Sequence, residues 1–276
     1  MRPTSNVHTH STWCDGQDSP RQMAERAIEL GYTDLGFSSH GPAPFDPGCP
    51  GIFGKEAEYR ADIRALAEEY ADRLNILCGV EADLMHPIDP ARYDYVIGSV
   101  HYLPGDGPEV RSVDNTADKL RAAIDNDYGG DGLQMAADYF SQIPVLAKAQ
   151  KPQIIGHFDL VAKYNGVGVF FDEESPAYQS IALEALDDTL ARIKGYGGMV
   201  EVNTGAMARG VRKAPYPAPF LLRHAAQRGA RMIITSDCHN RAKLGYGYDA
   251  ALAALREAGF TSMAVLKNGR FEDVSI

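Results

Sequence analysis

Short apolar or β-branched runs alternate along the chain with longer stretches of helical periodicity. The short runs predict buried strands and the longer stretches predict amphipathic helices. The predicted strands are Asn6–His8, Asp34–Ser38, Asn75–Val80, Tyr95–Val100, Gln153–Gly156, Met199–Val202, Met232–Thr235 and Ser262–Lys267. The predicted helices are Ser19–Leu30, Gly54–Tyr70, Thr116–Asn126, Leu133–Lys148, Ser175–Tyr196, Pro217–Arg228 and Asp249–Ala258.

Signals at the helix ends support these predictions. Ser19 followed by Pro20 is typical of an N-cap with proline in the first turn, and glycines directly follow several of the helices. Strands that alternate with helices predict βα units and a mainly parallel sheet. Seven or eight such units without a linker or an internal repeat favour a closed barrel over an open sheet. We therefore expect one α/β domain over residues 1–276.

Three longer segments are predicted to be loops at one face of this barrel. The segment Gly41–Gly54 is rich in proline and glycine and predicts an ordered active-site loop rather than a linker. The segments Leu103–Thr116 and Asn165–Ser175 are predicted to be loops at the same face. Near the C-terminus, Asn268-Gly269 predicts a hairpin that adds an edge strand.

Charge and composition exclude some classes of partner. The chain has 37 acidic and 27 basic residues, a formal net charge of −10. No basic patch predicts a nucleic-acid partner, and no apolar run reaches the roughly 18–20 residues that span a bilayer. The first residues lack the apolar core of a signal peptide, and the four cysteines form no C-x-x-C pair. We expect a cytoplasmic protein, and the sequence leaves its oligomeric state open, a homo-oligomer included.

Histidines and carboxylates follow most of the predicted strands, at the end where barrel enzymes carry their chemistry. These residues are His8 and His10 after the first strand, His40 after the second, Glu81 after the third, His101 after the fourth, His157 after the fifth, and Asp237 and His239 after the seventh. Residues at i and i+2 of an extended segment point the same way, so both members of such a pair can reach one ion.

The positions of the histidines favour metal binding over the more common structural uses of histidine. A lone histidine is usually a core or surface residue, but six of the eight histidines here follow predicted strands. The other two, His86 before a proline and His224 inside a predicted helix, are assigned to structure. Imidazole and carboxylate ligands without thiolate suit zinc, manganese or iron. The sequence therefore predicts a transition-metal site.

Six motifs in this order characterise a known superfamily. The motifs are His8-x-His10, Gly36-Phe-x-Ser-His40, Gly79-x-Glu81, Ile97-Gly-Ser-x-His101, Gly156-His157-x-Asp159 and Ser236-Asp237-x-His239. With them the chain resembles the PHP (polymerase and histidinol phosphatase) superfamily over almost its whole length. It more closely resembles the histidinol-phosphate phosphatases, through Ile97-Gly-Ser-Val-His-Tyr-Leu103, Gly156-His-Phe-Asp-Leu160 with Lys163, and Glu201-Val-Asn-Thr204 leading to Arg209-Gly210.

The resemblance implies a distorted seven-stranded TIM-like (β/α)7 barrel that holds three divalent transition-metal ions (Zn, Mn or Fe). The ligands implied for the first ion are His8, His10, Glu81 and Asp237, for the second Glu81, His101 and His157, and for the third Asp15, His40 and His239. Glu81 would bridge the first two ions.

The implied reaction is hydrolysis of L-histidinol phosphate, in histidine biosynthesis, to L-histidinol and phosphate by a metal-activated hydroxide. Clustered divalent ions lower the pKa of a bound water from ~15.7 toward ~7 and offset the charge of the phosphate dianion. Glu81 and Asp237 are the predicted catalytic carboxylates of the metal site. Asp159 or a metal-bound water would protonate the leaving alkoxide.

The substrate itself would be bound by side chains outside the cluster. Lys163 and Arg209 are predicted to neutralise phosphate oxygens. Tyr102, Asp83 and Asp114 lie in segments suited to receive the ammonium and imidazole of histidinol phosphate.

Other interpretations keep part of this chemistry. Another phosphomonoester or a nucleotide phosphodiester would use the same site, and Arg212 or Lys213 could replace Arg209. A metal-dependent amidohydrolase also uses H-x-H, but the position of Glu81 fits the first interpretation better. A metal-binding or regulatory module without catalysis would be favoured by lost ligands, whereas all nine candidate positions hold ligand-type residues.

Overall fold

The computed structural model describes residues 3–105 and 110–276. Its strands are β1 (Ser5–Asn6), β2 (Asp34–Phe37), β3 (Asn75–Cys78), β4 (Val80–Asp83), β5 (Val96–Ser99), β6 (Tyr102–Pro104), β7 (Val110–Ser112), β8 (Ile154–Ile155), β9 (Met199–Asn203), β10 (Met232–Thr235), β11 (Ser262–Lys267) and β12 (Arg270–Ser275). Its α-helices are α1 (Pro20–Glu29), α2 (Glu56–Tyr70), α3 (Ala117–Asp127), α4 (Gly132–Gln150), α5 (Asn165–Gly168), α6 (Pro176–Ile193), α7 (Gly205–Ala208), α8 (Pro219–Gln227) and α9 (Tyr248–Ala258).

Every predicted helix and all but one of the predicted strands have a single counterpart, with ends that differ by a few residues. The exception is Asn75–Val80, which divides at Gly79 between β3 and β4 in different sheets. The predicted cap of α1 is confirmed, because Ser19 and Gln22 form a reciprocal capping box in front of the helix. Two segments predicted to be loops contain short elements instead. The described part of Leu103–Thr116 contributes to an antiparallel hairpin of β6 and β7, and residues 106–109 lie outside the described residues. The segment Asn165–Ser175 begins with the one-turn helix α5.

The strands form mostly parallel sheets. β1, β2 and β3 make one parallel sheet, and a second sheet has seven strands in the order β12-β11-β10-β9-β8-β5-β4. In the second sheet only the β11–β12 pair is antiparallel. Asn268 and Gly269 connect that pair with positive φ angles of 50° and 72°, as a tight hairpin requires. The C-terminal hairpin is therefore confirmed.

The two parallel sheets meet at the carboxyl ends of their strands. Thr9, just after β1, forms a parallel bridge with Cys238, just after β10, and His40 forms another with Glu81 in β4. The amide of His10 donates to Cys238 O at 3.0 Å, and the amide of Gly41 donates to Glu81 O at 2.7 Å. Segments that carry predicted metal ligands are thereby hydrogen-bonded directly to one another. The fold is mixed α/β with a seven-stranded sheet, and that sheet includes β11 and β12 but not β1 and β2.

One face of these strands does not pack on the helices. On that face the side chains are apolar near the start of the strand and polar toward its end. Ile97, Ile154, Met199 and Ile233 belong to a small buried cluster, separate from the large core that includes most of the buried helix residues. Two residues further along three of these strands, the same faces carry the buried polar residues Ser99, Glu201 and Thr235. The apolar part stabilises the sheet by burial, and the polar part lies where the strands end.

Tyr95 fills the space between β2 and β4. Its ring leaves no room for a side chain at two positions, since a Cβ at Gly36 or at Gly79 would lie 2.3 Å from a Tyr95 atom. Its hydroxyl is directed at Val7 O, 2.5 Å away, and at Phe37 O, 3.0 Å away. One buried tyrosine therefore connects the segments that lead to His8 and His40. Among the described residues, none of the helices combines the length and the apolar content needed to span a bilayer.

Replacing Tyr95 by Phe should destabilise the protein by about 1–3 kcal/mol, because the buried hydroxyl that donates toward Val7 O is lost, while Phe37 O keeps the Gly79 amide as a donor. Urea unfolding of the Tyr95→Phe variant measures this loss. Tyr196→Phe is the matched control, since Tyr196 is 38% exposed and its replacement should leave the midpoint unchanged. A Tyr95→Phe midpoint equal to that of the parent protein would contradict the assigned role.

Candidate metal centre

Glu81 lies at the centre of a cluster of imidazoles. It is buried within β4, one residue after the start of the strand, and Ser99 Oγ donates to its Oε1 at 2.7 Å. The imidazole nitrogens around its two oxygens are His157 Nε2 at 2.9 Å and His101 Nε2 at 3.3 Å from Oε1, and His40 Nδ1 at 2.9 Å, His8 Nε2 at 3.3 Å and His10 Nε2 at 3.5 Å from Oε2. The structure thus brings five of the predicted histidine ligands to one carboxylate.

Asp237 extends this cluster from the end of β10. Its Oδ1 lies 3.3 Å from His10 Nε2 and 3.6 Å from His8 Nε2. Its backbone has a φ of +43°, a conformation that costs free energy for a residue with a Cβ and that proteins retain mainly at functional positions. This turn directs the side chain back toward the first strand, so the ends of β1 and β10 contribute ligands to one place.

Asp15 gathers a second group of side chains at the open side of the cluster. Its carboxylate oxygens lie 3.2 Å from His239 Nε2 and 3.6 Å from His40 Nε2, and its side chain is 44% exposed. His10 is shared with the central group, because its Nδ1 faces Asp15 while its Nε2 faces Glu81. Asp15 therefore brings in the one remaining predicted histidine, His239, and shares His40 with the group around Glu81.

Several buried polar atoms in the cluster lack a hydrogen-bond partner among the described residues. They include His8 Nε2, His10 Nε2 and Glu81 Oε2. Buried polar atoms are normally satisfied, because leaving one without a partner costs about 1–3 kcal/mol. Potential ligand atoms within 4.8 Å of one another occur in three groups, which are His8, His10 and Glu81; His40, Glu81 and His101; and His10, Asp15, His40 and His239. Nitrogen and carboxylate donors that converge without partners fit divalent transition metals.

The electrostatics also suit cations. Burial opposes ionisation of Glu81, but His8, His101 and His40 hold the pKa of its carboxyl well below the usual value. Asp237 is buried as well, and the Arg209 guanidinium, followed by His8, keeps its pKa low. Burial, with repulsion from His239 and His40, lowers the pKa of His10 to about 3. Ionised carboxylates and a neutral imidazole are the forms that bind a metal ion.

Two carboxylates that the sequence did not identify as ligands hold candidate ligand residues in place. Glu201 Oε1 lies 2.5 Å from His8 Nδ1. Asp83 accepts a hydrogen bond from the amide of His101 at 2.7 Å, so it supports a ligand residue as well as lining the cavity. The signal for Glu201 is in the sequence: in Glu201-Val-Asn203, polar residues occupy alternate positions at the end of an otherwise apolar strand.

A cavity of about 330 Å³ opens over the cluster and contains the predicted substrate-binding residues. Lys163 Nζ donates to Asp114 O at 2.9 Å and lies 3.0 Å from Asp114 Oδ2. Arg209 donates to Asp237 Oδ2 at 3.1 Å, and Tyr102 donates to Asp46 at 2.7 Å. Two cationic groups therefore lie next to the candidate metal ligands, on a wall that also carries carboxylates.

Asp159 is not brought to this cavity, because the described residues that line it do not include Asp159. Its Oδ2 accepts a hydrogen bond from the Ala218 amide at 2.9 Å, and burial raises its pKa to about 6 against the effect of Arg212. The reason is local: β8 ends at Ile155 and the chain turns into a 3₁₀ helix at Leu160–Ala162, so the alternation expected after His157 does not continue.

The basic neighbours of Arg209 and the helical histidine have other contacts. Arg212 donates to Ala162 O and to Glu173, so its guanidinium is directed away from the cluster, and Lys213 is exposed. His224 lies 2.8 Å from Asp187 and joins α8 to α6, as its assignment to structure expected.

The fold and the cluster define a class of protein. The family model of the PHP domain matches residues 6–205 of this chain, and the chain belongs to the PHP domain family. The matched range runs from the last residue of β1 through β9 and includes most of the candidate ligands, while Asp237 and His239 follow it.

Relatives of nearly equal length carry a more specific name. A "Probable histidinol-phosphatase" of Deinococcus radiodurans is 32% identical over 274 residues, which cover 94% of this chain and 95% of that protein. A "Probable histidinol-phosphatase" of Schizosaccharomyces pombe is 27% identical and covers 98% of this chain and 90% of that protein. The histidinol phosphate phosphatase of Lactococcus lactis, crystallised with zinc, L-histidinol and phosphate, has the same fold with a TM-score of 0.71 at 21% identity, covering 97% of this chain and 98% of that one.

Zinc should stabilise this protein through the cluster around Glu81. A free zinc concentration about 100 times the dissociation constant stabilises a folded protein by about 2.7 kcal/mol, which thermal unfolding detects. We expect Glu81→Ala to lose most of the zinc-induced rise in Tm, because Glu81 contacts five imidazoles. His224→Gln, which removes a histidine outside the cluster, should keep the rise. An undiminished rise in Glu81→Ala would exclude Glu81 as a ligand.

Proposed function

We propose that this chain is a metal-dependent histidinol-phosphatase that hydrolyses L-histidinol phosphate to L-histidinol and phosphate. The observation that carries the proposal is the convergence of buried, unpartnered ligand atoms around Glu81 below a cavity with two cationic side chains. The names of the relatives that align over nearly the whole chain support the same activity.

The cluster has enough ligand groups for three divalent ions. We assign His8, His10, Glu81 and Asp237 to the first ion, Glu81, His101 and His157 to the second, and Asp15, His40 and His239 to the third. Zinc is the first choice, because zinc is present in the Lactococcus lactis complex, while manganese and iron suit the same donors. Divalent ions bound here would lower the pKa of a bound water and offset charge on the phosphoryl oxygens.

The cationic side chains would bind the phosphate. Arg209 adjoins the cluster through Asp237 and His239, so its guanidinium can reach a phosphate oxygen from one side. Lys163 lines the cavity and is 8% exposed, which strengthens its interaction with an anion. Both groups already face carboxylates, and a phosphate would therefore share them with Asp237 and Asp114. This sharing favours a small dianion held close to the metal ligands.

The remainder of the cavity suits a cationic leaving group. Asp46, Asp83 and Asp114 line it together with Tyr102. Burial opposes ionisation of Asp114, but Lys163 and His101 keep its pKa well below the usual value, so this carboxylate stays charged. The ammonium and imidazole of histidinol would interact favourably with this acidic wall. We propose that the leaving alkoxide takes its proton from water in the cavity rather than from Asp159, whose hydrogen bond is to the Ala218 amide.

We also propose that the chain is one domain whose strands close into a distorted seven-stranded (β/α)7 barrel. The bridges Thr9–Cys238 and His40–Glu81 support closure, because they link the sheet of β1, β2 and β3 to the larger sheet at two separate strands, β10 and β4. We further propose a cytoplasmic enzyme that does not act on nucleic acid, in accord with its acidic charge and its free cysteines. Self-association into a homo-oligomer is compatible with this site and can be measured by light scattering.

Phosphate release from L-histidinol phosphate tests the activity. The rate should exceed the rates for generic phosphomonoesters and for a phosphodiester, should fall to background after chelation, and should return with zinc, manganese or iron. Metal-dependent cleavage of another ester with histidinol phosphate ignored would replace the substrate and keep the chemistry. A protein that holds metal but releases no phosphate from any ester would contradict the proposal.

Replacing Arg209 by Ala should lower kcat/KM by roughly 10–100-fold, since one hydrogen bond to a charged group contributes about 1.5–3 kcal/mol. Steady-state kinetics with L-histidinol phosphate measures the loss. Lys213→Ala is the matched control, because Lys213 is an exposed cation four residues away in sequence and should be dispensable. Equal losses in the two variants would indicate a general charge effect instead of a contact by Arg209.

A further inference from the structure

Glu201 is a buried carboxylate behind the cluster, in the middle of β9, with no exposed surface. Both of its oxygens are fully used as hydrogen-bond acceptors. Oε1 accepts from His8 Nδ1 at 2.5 Å and Thr235 Oγ1 at 2.5 Å, and Oε2 accepts from the His157 amide at 2.7 Å and Asn203 Nδ2 at 2.9 Å. A buried charge requires such hydrogen bonds. Three of the donors here, however, also belong to or contact candidate metal ligands, which indicates a role beyond satisfying the charge.

The donors connect Glu201 to three candidate metal ligands on three strands. His8 donates from its ring and His157 from its backbone. Asn203 also lies 3.3 Å from Asp237 Oδ2 and so links Glu201 to the ligand after β10. Displacing this one carboxylate would therefore affect residues that follow β1, β8 and β10.

The contact with His8 determines which ring nitrogen carries the proton. A carboxylate can only accept a hydrogen bond, so Nδ1, facing Glu201, must be the protonated nitrogen. A neutral His8 then has its lone pair on Nε2, the atom that lies 3.3 Å from Glu81 and 3.6 Å from Asp237. A histidine that binds metal through one nitrogen commonly donates the other N–H to a carboxylate, which orients the ring and makes it a stronger ligand.

We propose that Glu201 is a positioning residue that fixes the tautomer and the orientation of His8, and thereby sets the metal affinity of the site formed by His8, His10, Glu81 and Asp237. The inference rests on the metal centre of the proposed function. It adds a residue whose effect on the reaction passes through a ligand, since the described residues that line the cavity do not include Glu201.

A purely structural role makes a different prediction, and two variants separate the two roles. Thr235→Val removes a donor from Oε1 but keeps the contact between Glu201 and His8. Glu201→Gln has a single carbonyl oxygen, whereas His8 Nδ1 and the His157 amide need acceptors on different oxygens. Both variants lose buried hydrogen bonds and should unfold at lower temperature. In either orientation of its amide, Glu201→Gln removes the charge that faces His8 and leaves His8 or His157 without its acceptor, whereas Thr235→Val does neither.

Zinc affinity, measured by competition with a chromophoric chelator, distinguishes these outcomes in the full-length protein. We expect Glu201→Gln to bind zinc about 10–100-fold more weakly than the parent, and Thr235→Val to differ by less than about threefold. Equal affinity in Glu201→Gln and parent would overturn the role of Glu201 and leave the metal centre intact. A parent protein that binds no zinc would overturn the metal centre and this inference together.

The tautomer can be observed without relying on a Glu201 variant that folds. Long-range ¹H–¹⁵N correlation spectra of the histidine rings in the zinc-loaded parent report which nitrogen is protonated, and the His8 signal is assigned by its absence in His8→Gln. We expect a proton on Nδ1 and metal on Nε2. A His8 ring protonated on Nε2, or bound to metal through Nδ1, would overturn the proposal.

Discussion

The rest of the structure is built around a buried cluster of imidazoles and carboxylates. A bound cation would offset the free-energy cost of burying these polar groups. Five imidazoles surround one buried carboxylate, and several of their nitrogens and oxygens have no partner within the described chain. Polar atoms removed from water without partners cost free energy, so folding must supply this cost from the apolar core. A divalent ion bound here would return this cost as binding energy, so we expect metal occupancy and the stability of the fold to be coupled.

Parallel strands provide the precision that such a site requires. Candidate ligands that follow β1, β2 and β10, and Glu81 within β4, lie on or beside residues joined by the backbone bridges Thr9–Cys238 and His40–Glu81. A backbone bridge holds its two residues at hydrogen-bonding distance, so the relative position of their side chains is restricted. Ligands on different strands can therefore converge although they are more than 200 residues apart in sequence.

Around the ligands, carboxylates and cations are arranged in pairs. Glu201 and Asp83 accept hydrogen bonds from His8 and His101, two candidate ligands, while Arg209 and Lys163 face Asp237 and Asp114. These pairs keep Glu201, Asp237 and Asp114 ionised and hold the cationic groups close to the cluster. One side of the cavity is suited to a phosphate, and the acidic side is suited to a positively charged leaving group. Histidinol phosphate contains both a phosphate and cationic groups.

Much of this protein could be predicted from the sequence. The alternation of apolar runs and helical periods predicted the strands and helices, because local periodicity decides which backbone conformation buries the apolar residues. The C-terminal hairpin was also predictable, since Asn268-Gly269 favours positive φ angles without help from the rest of the chain. The strand-end histidines and Glu81 were identified by position, and the family resemblance grouped them.

Tertiary structure decided the contacts that local rules do not contain. Asp159 follows His157 by two residues, yet a 3₁₀ turn takes its side chain to the Ala218 amide instead of the cavity. Arg212 and Arg209 are near neighbours in sequence, and only the fold separates their directions. In the sequence, Glu201 is a single polar residue in a predicted strand. Its role is not visible there, because its hydrogen-bond partners lie up to 193 residues away. Sequence order determines which groups are available, but three-dimensional packing determines which of them meet.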